Sequence, residues 1–229
     1  MSTTTLRNWD NHVSQAEEIA RGSGFRTLRD QILALAEPGP SDQLVDVGAG
    51  TGLLTLAVAD RVNRVWALDI APSMCDYLRT KTASAGLENV EVGVASADSL
   101  PLVDASVDVV VSNYCLHHLD DDRKHQALAE VYRVLRPGGR IVIGDMMFAL
   151  RPGNARDRRV VLSKIRAMIR KGPAGVARLT KNGVRLISRR WEHPSPASWW
   201  EQALVRAGFS DVLVHELEHE GGIAYGRKL

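Results

Sequence analysis

Three glycines fall within five positions of "LVDVGAGTGLL" (44–54): Gly48, Gly50 and Gly52. Asp46 stands two residues before the first, and Asp69 seventeen residues after the last. A strand that runs through a glycine-rich turn into a helix brings a ligand to the carboxyl edge of a sheet, beside the helix-start amides. A dinucleotide fingerprint needs a sixth-position glycine, where Leu53 stands, and a phosphate loop needs a following Gly-Lys-Ser/Thr, which is absent. Asp69, at the end of the next strand, can accept from both hydroxyls of a ribose. The pattern suits a nucleoside and does not require phosphate.

Around the turn, short β-branched runs alternate with helical patterns. "QLVDV" (43–47), "RVWALDI" (64–70), "VEVGV" (90–94), "VDVVVSN" (107–113) and "RIVIGDM" (140–146) read as strands, the fourth apolar on both faces as in a covered parallel sheet. Helices are expected over "TLAVADR" (55–61) and through Met74, Tyr77 and Leu78 to near Gly86. Asp120 to Asp122 can cap another, whose Leu128, Val131 and Leu135 share a face before "RPGG" (136–139) stops it. "SQAE" (14–17) has capping-box spacing, opening a helical segment interrupted at Gly22 and Gly24 and resumed through Leu28, Ile32 and Leu33. Strands separated by such helices imply right-handed crossovers and a doubly wound α/β sheet. "SPASWWEQALVRAGF" (195–209) predicts a last helix with Ser195 as cap, Pro196 in its first turn and Gly208 at its end. After it, "DVLVHELE" (211–218) and "GGIAYGRK" (221–228) are too close for a crossover and must form an antiparallel hairpin.

"VDVGAGTG" (45–52), the strand-end Asp69, "SADSLPL" (96–102), "VDVVVSNYCLHHLDD" (107–121) and "VYRVLRPGGRIVIGD" (131–145) follow one another in an order with a known counterpart. Together they resemble the successive motifs of class I S-adenosylmethionine-dependent methyltransferases, most closely the small-molecule branch that includes the ubiquinone and menaquinone biosynthesis methyltransferases. The resemblance covers roughly residues 40–148, and the terminal helix and hairpin agree with that family's antiparallel last strand. It implies a Rossmann-like, mainly parallel seven-stranded sheet with an antiparallel C-terminal hairpin strand, and S-adenosylmethionine as cofactor.

The resemblance also implies individual roles. Gly48, Gly50 and Gly52 would let the backbone approach the methionine and ribose portions of the cofactor. Asp46 would orient the glycine loop or serve the cofactor's ammonium through its surroundings, and Asp69 would hold the ribose diol. Ile70 would pack on the adenine, Asp98 would accept from its amine with Ser99 adjacent, and Asn113 would lie under the sulfonium and the transferred methyl group. Ile70 as ordinary core and Asp98 as a turn residue are the plain alternatives. Methyl transfer from a sulfonium mainly needs an aligned nucleophile and the exclusion of water. His117 and His118, past the fourth strand at the substrate edge, are candidate proton acceptors, or a pair that packs the loop. Asn-Tyr-Cys-Leu at 113–116 departs from the Asn/Asp-Pro-Pro-aromatic signature of enzymes acting on planar amino groups, which argues against a DNA adenine or glutamine acceptor.

Composition and charge bound the rest. With 229 residues, 45% hydrophobic and 24% charged, the chain fits one α/β domain: an N-terminal helical arm (1–38), a cofactor-binding core (40–148), a helical basic lid (151–194) and the terminal helix and hairpin (195–229). Cys75 and Cys115 form neither a pairing framework nor metal-ligand spacing, so no metal is expected. The first residues carry no apolar signal core, and a cytoplasmic protein is expected. The net charge of +2 conceals a polarity: Arg151 to Arg190 holds thirteen Lys/Arg and one acid, Asp157, for +12, against −10 elsewhere. In "RRVVLSKIRAMIRK" (158–171), Val161, Leu162, Ile165, Met168 and Ile169 share one helical face, with Arg159, Lys164, Arg166 and Arg170 largely elsewhere. The stretch reads as a solvated face, as recognition of an anionic small-molecule acceptor, or as peripheral docking on an anionic membrane to reach a lipid-like one. Its lack of an interleaved aromatic platform argues against nucleic acid. Trp9, Asp10 and His12 precede the first helix, where related enzymes fold an arm over the cofactor. An RNA or protein methyltransferase, and a non-methylating cofactor-binding protein on the same scaffold, are the competing functions.

Overall fold

The β-branched runs do become strands. A computed structural model, describing residues 12–148, 153, 155–169 and 192–229, places them in one seven-stranded sheet. They are β1 (Gln43–Val47), β2 (Arg64–Asp69), β3 (Val90–Val94), β4 (Val107–Asn113), β5 (Leu135–Met146), β6 (Ser210–Glu216) and β7 (Gly221–Arg227). Their order is β3-β2-β1-β4-β5-β7-β6. The first five pair in parallel, and β7 runs antiparallel between β5 and β6. The order reverses between β1 and β4, which opens a crevice at their carboxyl ends.

The helices are α1 (Val13–Ala20), α2 (Ser23–Ala36), α3 (Thr55–Val58), α4 (Pro72–Ser84), α5 (Asp121–Val134), α6 (Ala155–Ile169) and α7 (Ala197–Arg206). They cover both faces of the sheet, and β4 shows why its sequence is apolar throughout. Val110 packs with Leu128, Val131 and Val134 of α5 and Trp200 and Leu204 of α7. Val109 and Val111 point the other way, toward Leu28, Ile32 and Leu33 of α2 and Leu78 of α4. Trp200 and the central valines are fully buried, and each side chain of this kind contributes on the order of 2 kcal/mol.

Several local expectations are corrected. Ser14 does not cap α1: His12 holds the N-cap position, with no side-chain capping bond. Glu17 instead reaches Lys81 of α4 at 3.0 Å, a cation that completes its own shell on the Thr51 carbonyl at 2.9 Å. The break between the first helices falls at Arg21 and Gly22, and Gly24 lies inside α2. "RPGG" belongs to β5, whose pairing with β4 jumps from Val107↔Leu135 to Val109↔Arg140, so these residues form a bulge. Leu135 therefore leaves the helical face and Val134 completes it. Ser195 does not cap α7; its hydroxyl accepts from Lys124 at 2.7 Å. Asp120 caps α5 as expected, accepting from the Arg123 amide at 2.9 Å.

Of the basic stretch 151–190, Gly153 and α6 are described and the rest, like Trp9 and Asp10, lies outside the described residues. Its packing differs from the expected face: Val160 and Asp157 are buried, whereas Leu162 and Ile169 are exposed. Arg156 fixes the start of α6 by donating to the carbonyls of Met147, Leu217, His219 and Gly221 at 2.7–2.8 Å. One of the thirteen basic groups is thus spent on the β6–β7 turn. No helix among the described residues is long and apolar enough to cross a membrane.

Candidate active site

The register of the sheet assembles the site. Val47, last in β1, pairs with Leu68 on one side and Ser112 on the other, so the next residues, Asp69 and Asn113, flank Gly48. All three turn glycines have positive φ, at 74°, 51° and 90° for Gly48, Gly50 and Gly52. Their reasons for being glycine differ, which refines the expectation that all three make room for a ligand. A Cβ on Gly48 would lie 2.2 Å from Cys115 Sγ, and one on Gly52 would lie 2.4 Å from Leu78 Cδ1. A Cβ on Gly50 would meet nothing within 4 Å. Gly50 alone presents a bare backbone to open space.

The turn is held by its own amides. Gly48 and Ala49 donate to the Leu68 carbonyl at 2.8 and 3.0 Å, and Gly52 donates to Ala49 at 2.8 Å. Gly50 donates to Asp69 Oδ2 at 2.8 Å, and Ala71 to Oδ1 at 2.9 Å. A loop with these amides already paired is not a phosphate cradle, in agreement with the missing lysine. Burial raises the pKa of Asp69 despite these bonds. Asp46 is fully buried and accepts from Thr55 twice, from the amide at 3.0 Å and the hydroxyl at 2.6 Å, so it ties β1 to the start of α3. Burial pushes it up to about 6, with Asp69 adding to the rise.

Beyond β3, Asp98 is held by Arg123 of α5, whose Nε lies 2.6 Å from Oδ2, and by the Ser96 hydroxyl on Oδ1. Burial works to raise its pKa, but these two donors outweigh it and leave the carboxyl below its usual value. The Ser99 amide closes the turn on the Ser96 carbonyl at 3.0 Å. Ile70 is half-buried just past β2. At the end of β4, Asn113 Oδ1 is buried without a hydrogen-bond partner.

Tyr114 follows with φ 51°, a left-handed conformation for a bulky residue, and its amide donates to Gly144 at 2.8 Å. Burial, with Glu220 and Asp145 nearby, raises its phenol well above the ordinary value, so it stays protonated. The same burial, next to Asp69, Asp145 and Asp46, keeps Cys115 a thiol. His117 is buried, its ring edge-on to Tyr114 at 5.9 Å and 3.9 Å from the His118 ring. Its Nδ1 lies 2.5 Å from Asp145 Oδ1, and its amide donates to Asp145 Oδ2 at 2.9 Å. Asp145, Arg123 and Tyr114 were not singled out from the sequence.

The methyltransferase-domain family matches residues 45–143, which hold the glycine turn, Asp69, Asp98, Asn113 and both histidines. The match covers less than half of the chain and supports a class I S-adenosylmethionine-dependent methyltransferase domain over that segment. Malonyl-[acyl-carrier protein] O-methyltransferase of Serratia marcescens is 34% identical over 151 residues, 62% of this chain and 56% of that protein. Arsenite methyltransferase of Halobacterium salinarum is 36% identical over 117 residues, 50% of this chain and 29% of that one. The chain therefore spans about half or less of the length of these curated relatives. Its fold is shared with a putative methyltransferase of Haloferax volcanii, solved with the Trm112 methyltransferase activator, at a TM-score of 0.70 and 18% identity over 97% of this chain and 99% of that one.

The residues fit the cofactor this domain implies. Gly50 leaves its face open, Asp69 stands beside it at the end of β2, and Asn113 Oδ1 is a buried acceptor with no donor on the other flank. S-adenosylmethionine offers donors for both: hydroxyls on the ribose and an ammonium on the methionine portion. Among the described residues no group of His, Cys, Asp and Glu could hold a metal ion.

Proposed function

We propose that the protein transfers a methyl group from S-adenosylmethionine to a small-molecule or lipid-like, anionic acceptor. The observation that carries this reading is the crevice edge at β1, β2 and β4, where Gly50, Asp69 and Asn113 present an open backbone, a carboxylate and an unpaired acceptor. In it, Asp69 takes the ribose diol, Ile70 and Asp98 with Ser99 take the adenine side, Asn113 faces the methyl end, and Asp46 acts through Thr55 on the turn. When bound, the cofactor supplies an electrophilic methyl group on a sulfonium. The chain's part is alignment, exclusion of water, and removal of the acceptor proton by His117 or His118. Because Asp98 is already paired with Arg123, its carboxylate meets the adenine amine in a fixed orientation.

The acceptor is read from the basic stretch 151–190, where arginines suit carboxylate or phosphate groups and an anionic membrane surface alike. The acceptors in the relatives' names, a malonyl group and arsenite, share no shape, so the matched segment does not choose between acceptors. Radiolabelled S-adenosylmethionine incubated with fractionated cell extract tests the reading. Label in small molecules or lipid supports it. Label confined to RNA or protein, or tight cofactor binding with no transfer, overturns it in favour of a macromolecular or a non-methylating role. Liposome co-sedimentation, with and without the 151–190 charges neutralised, separates a membrane-borne acceptor from a dissolved one.

A further inference from the structure

His117 and His118 are equivalent in sequence, but their surroundings in the fold are not. His117 is tied to β5 twice, through its ring and through its backbone, and both ties end on Asp145. Asp145 has no exposed surface, and its Oδ1 also accepts from the Met146 amide at 2.7 Å. This carboxylate cannot swing without giving up three hydrogen bonds. It lies at the carboxyl edge of the sheet, one residue past Gly144, which pairs with Asn113. The couple is therefore built beside the residue that faces the methyl end of the crevice.

An imidazole that donates Nδ1–H to a carboxylate has its tautomer fixed, and Nε2 is left as the base. The second face of the turn is braced as well. The His193 amide donates to the His117 carbonyl at 2.6 Å, and the His193 carbonyl accepts from Lys124, so the ring's backbone is held from α5 too. Tyr114, in its left-handed conformation, sets its ring edge against His117. Bracing of this kind fixes a ring to within a narrow range of orientations, which proton transfer at a reacting atom needs.

We propose that Asp145 is a positioning residue that selects His117 as the proton acceptor of the methyl transfer, holding Nδ1–H and leaving Nε2 toward the acceptor. The inference rests on the methyl-transfer reading above. In the step, an acceptor O–H, N–H or acidic C–H gives its proton to His117 Nε2. The electron pair so released forms the bond to the methyl carbon. The carbon–sulfur bond breaks, and its pair goes to sulfur, which becomes a neutral thioether. His117 leaves the step as an imidazolium paired with Asp145.

His117→Asn tests this directly, because the asparagine side-chain N–H can replace Nδ1–H toward Asp145 while Nε2 is removed. In the full-length chain, S-adenosylmethionine affinity by calorimetry and the melting temperature are expected to stay near wild type. Transfer of label into the fraction that wild type labels is expected to fall at least about 100-fold. Near-wild-type transfer by His117→Asn would make the Asp145 bond a brace and nothing more, and would overturn the proposal. Nitrogen-15 histidine spectra supply a readout independent of the acceptor. His117 is expected as the Nδ1–H tautomer in wild type and as Nε2–H in Asp145→Asn; one tautomer in both proteins overturns the proposal. Wild-type protein that binds no S-adenosylmethionine would instead overturn the methyl-transfer reading itself, so the two failures are distinguishable.

Discussion

Alanine at each of the three turn glycines separates packing from ligand approach. All three positions have positive φ, which costs a β-carbon roughly 1–2 kcal/mol. At Gly50 that is the whole cost, because the new methyl meets nothing within 4 Å. At Gly48 the methyl would sit 2.2 Å from Cys115 Sγ and 2.5 Å from its Cβ, adding an overpacking penalty of roughly 1–3 kcal/mol. With about 2–4 °C of melting temperature per kcal/mol for a chain of this size, Gly50→Ala should lose about 2–8 °C and Gly48→Ala about 4–20 °C. The order should reverse for the cofactor. Gly50→Ala, well folded, should bind S-adenosylmethionine far more weakly by calorimetry, because its methyl occupies the open face. A sharper arm follows from the 2.5 Å approach to Cys115 Cβ: Cys115→Gly should relieve Gly48→Ala, whereas Cys115→Ala should not. Equal melting losses at positions 48 and 50, or unchanged affinity in Gly50→Ala, would refute the division of labour among the glycines.

Other outcomes follow from single contacts. Asp69→Ala should weaken S-adenosylmethionine binding at least about tenfold by calorimetry, since a hydrogen bond to a charged group contributes about 1.5–3 kcal/mol and the Gly50 amide also loses its acceptor. Because the folded-state pKa of Asp46 is raised from 3.8 to about 6, its ionisation penalises the fold. The stability of wild type relative to Asp46→Asn should therefore be greatest below about pH 4, fall by about 3 kcal/mol as pH rises through 6, and level off about one unit higher, as read by denaturant titration. Lys124→Met should cost roughly 1–3 kcal/mol in the same titration, because the His193 carbonyl and the Ser195 hydroxyl lose their donor.

Local periodicity and strand-end chemistry were legible in the sequence; partners brought together only by tertiary packing were not. The five parallel strands, the glycine turn and Asp69 follow from patterns no longer than a dozen residues, and the structure keeps them to within a residue or two at most ends. The capping signals at Ser14 and Ser195 misled for one reason. Each hydroxyl lies near a helix start in sequence, but a neighbouring element takes one partner of the signal: Lys81 takes Glu17, the acid of the first box, and Lys124 takes the Ser195 hydroxyl. Arg123 is 25 residues from Asp98, and nothing in an amphipathic helix says which of its cations will turn inward. The same holds for α6, where Arg156 and Val160 face the protein although the apolar periodicity favours Leu162 and Ile169.

Asp145 is different, because a signal for it existed. "RIVIGD" brings an apolar strand to a carboxylate just as "RVWALD" does, and "LVDV" places one within β1. An acid at the edge of a buried strand is costly unless it is paired, so each such residue marks a place where the sheet edge meets donors. The donors then decide what the acid does. Asp46 meets the Thr55 amide and hydroxyl, and becomes a buried tie. Asp69 meets the Gly50 and Ala71 amides, and becomes the edge of a crevice. Asp145 meets a ring nitrogen and an amide of His117. Of the three it alone holds an imidazole, and so it alone can set which nitrogen takes a proton.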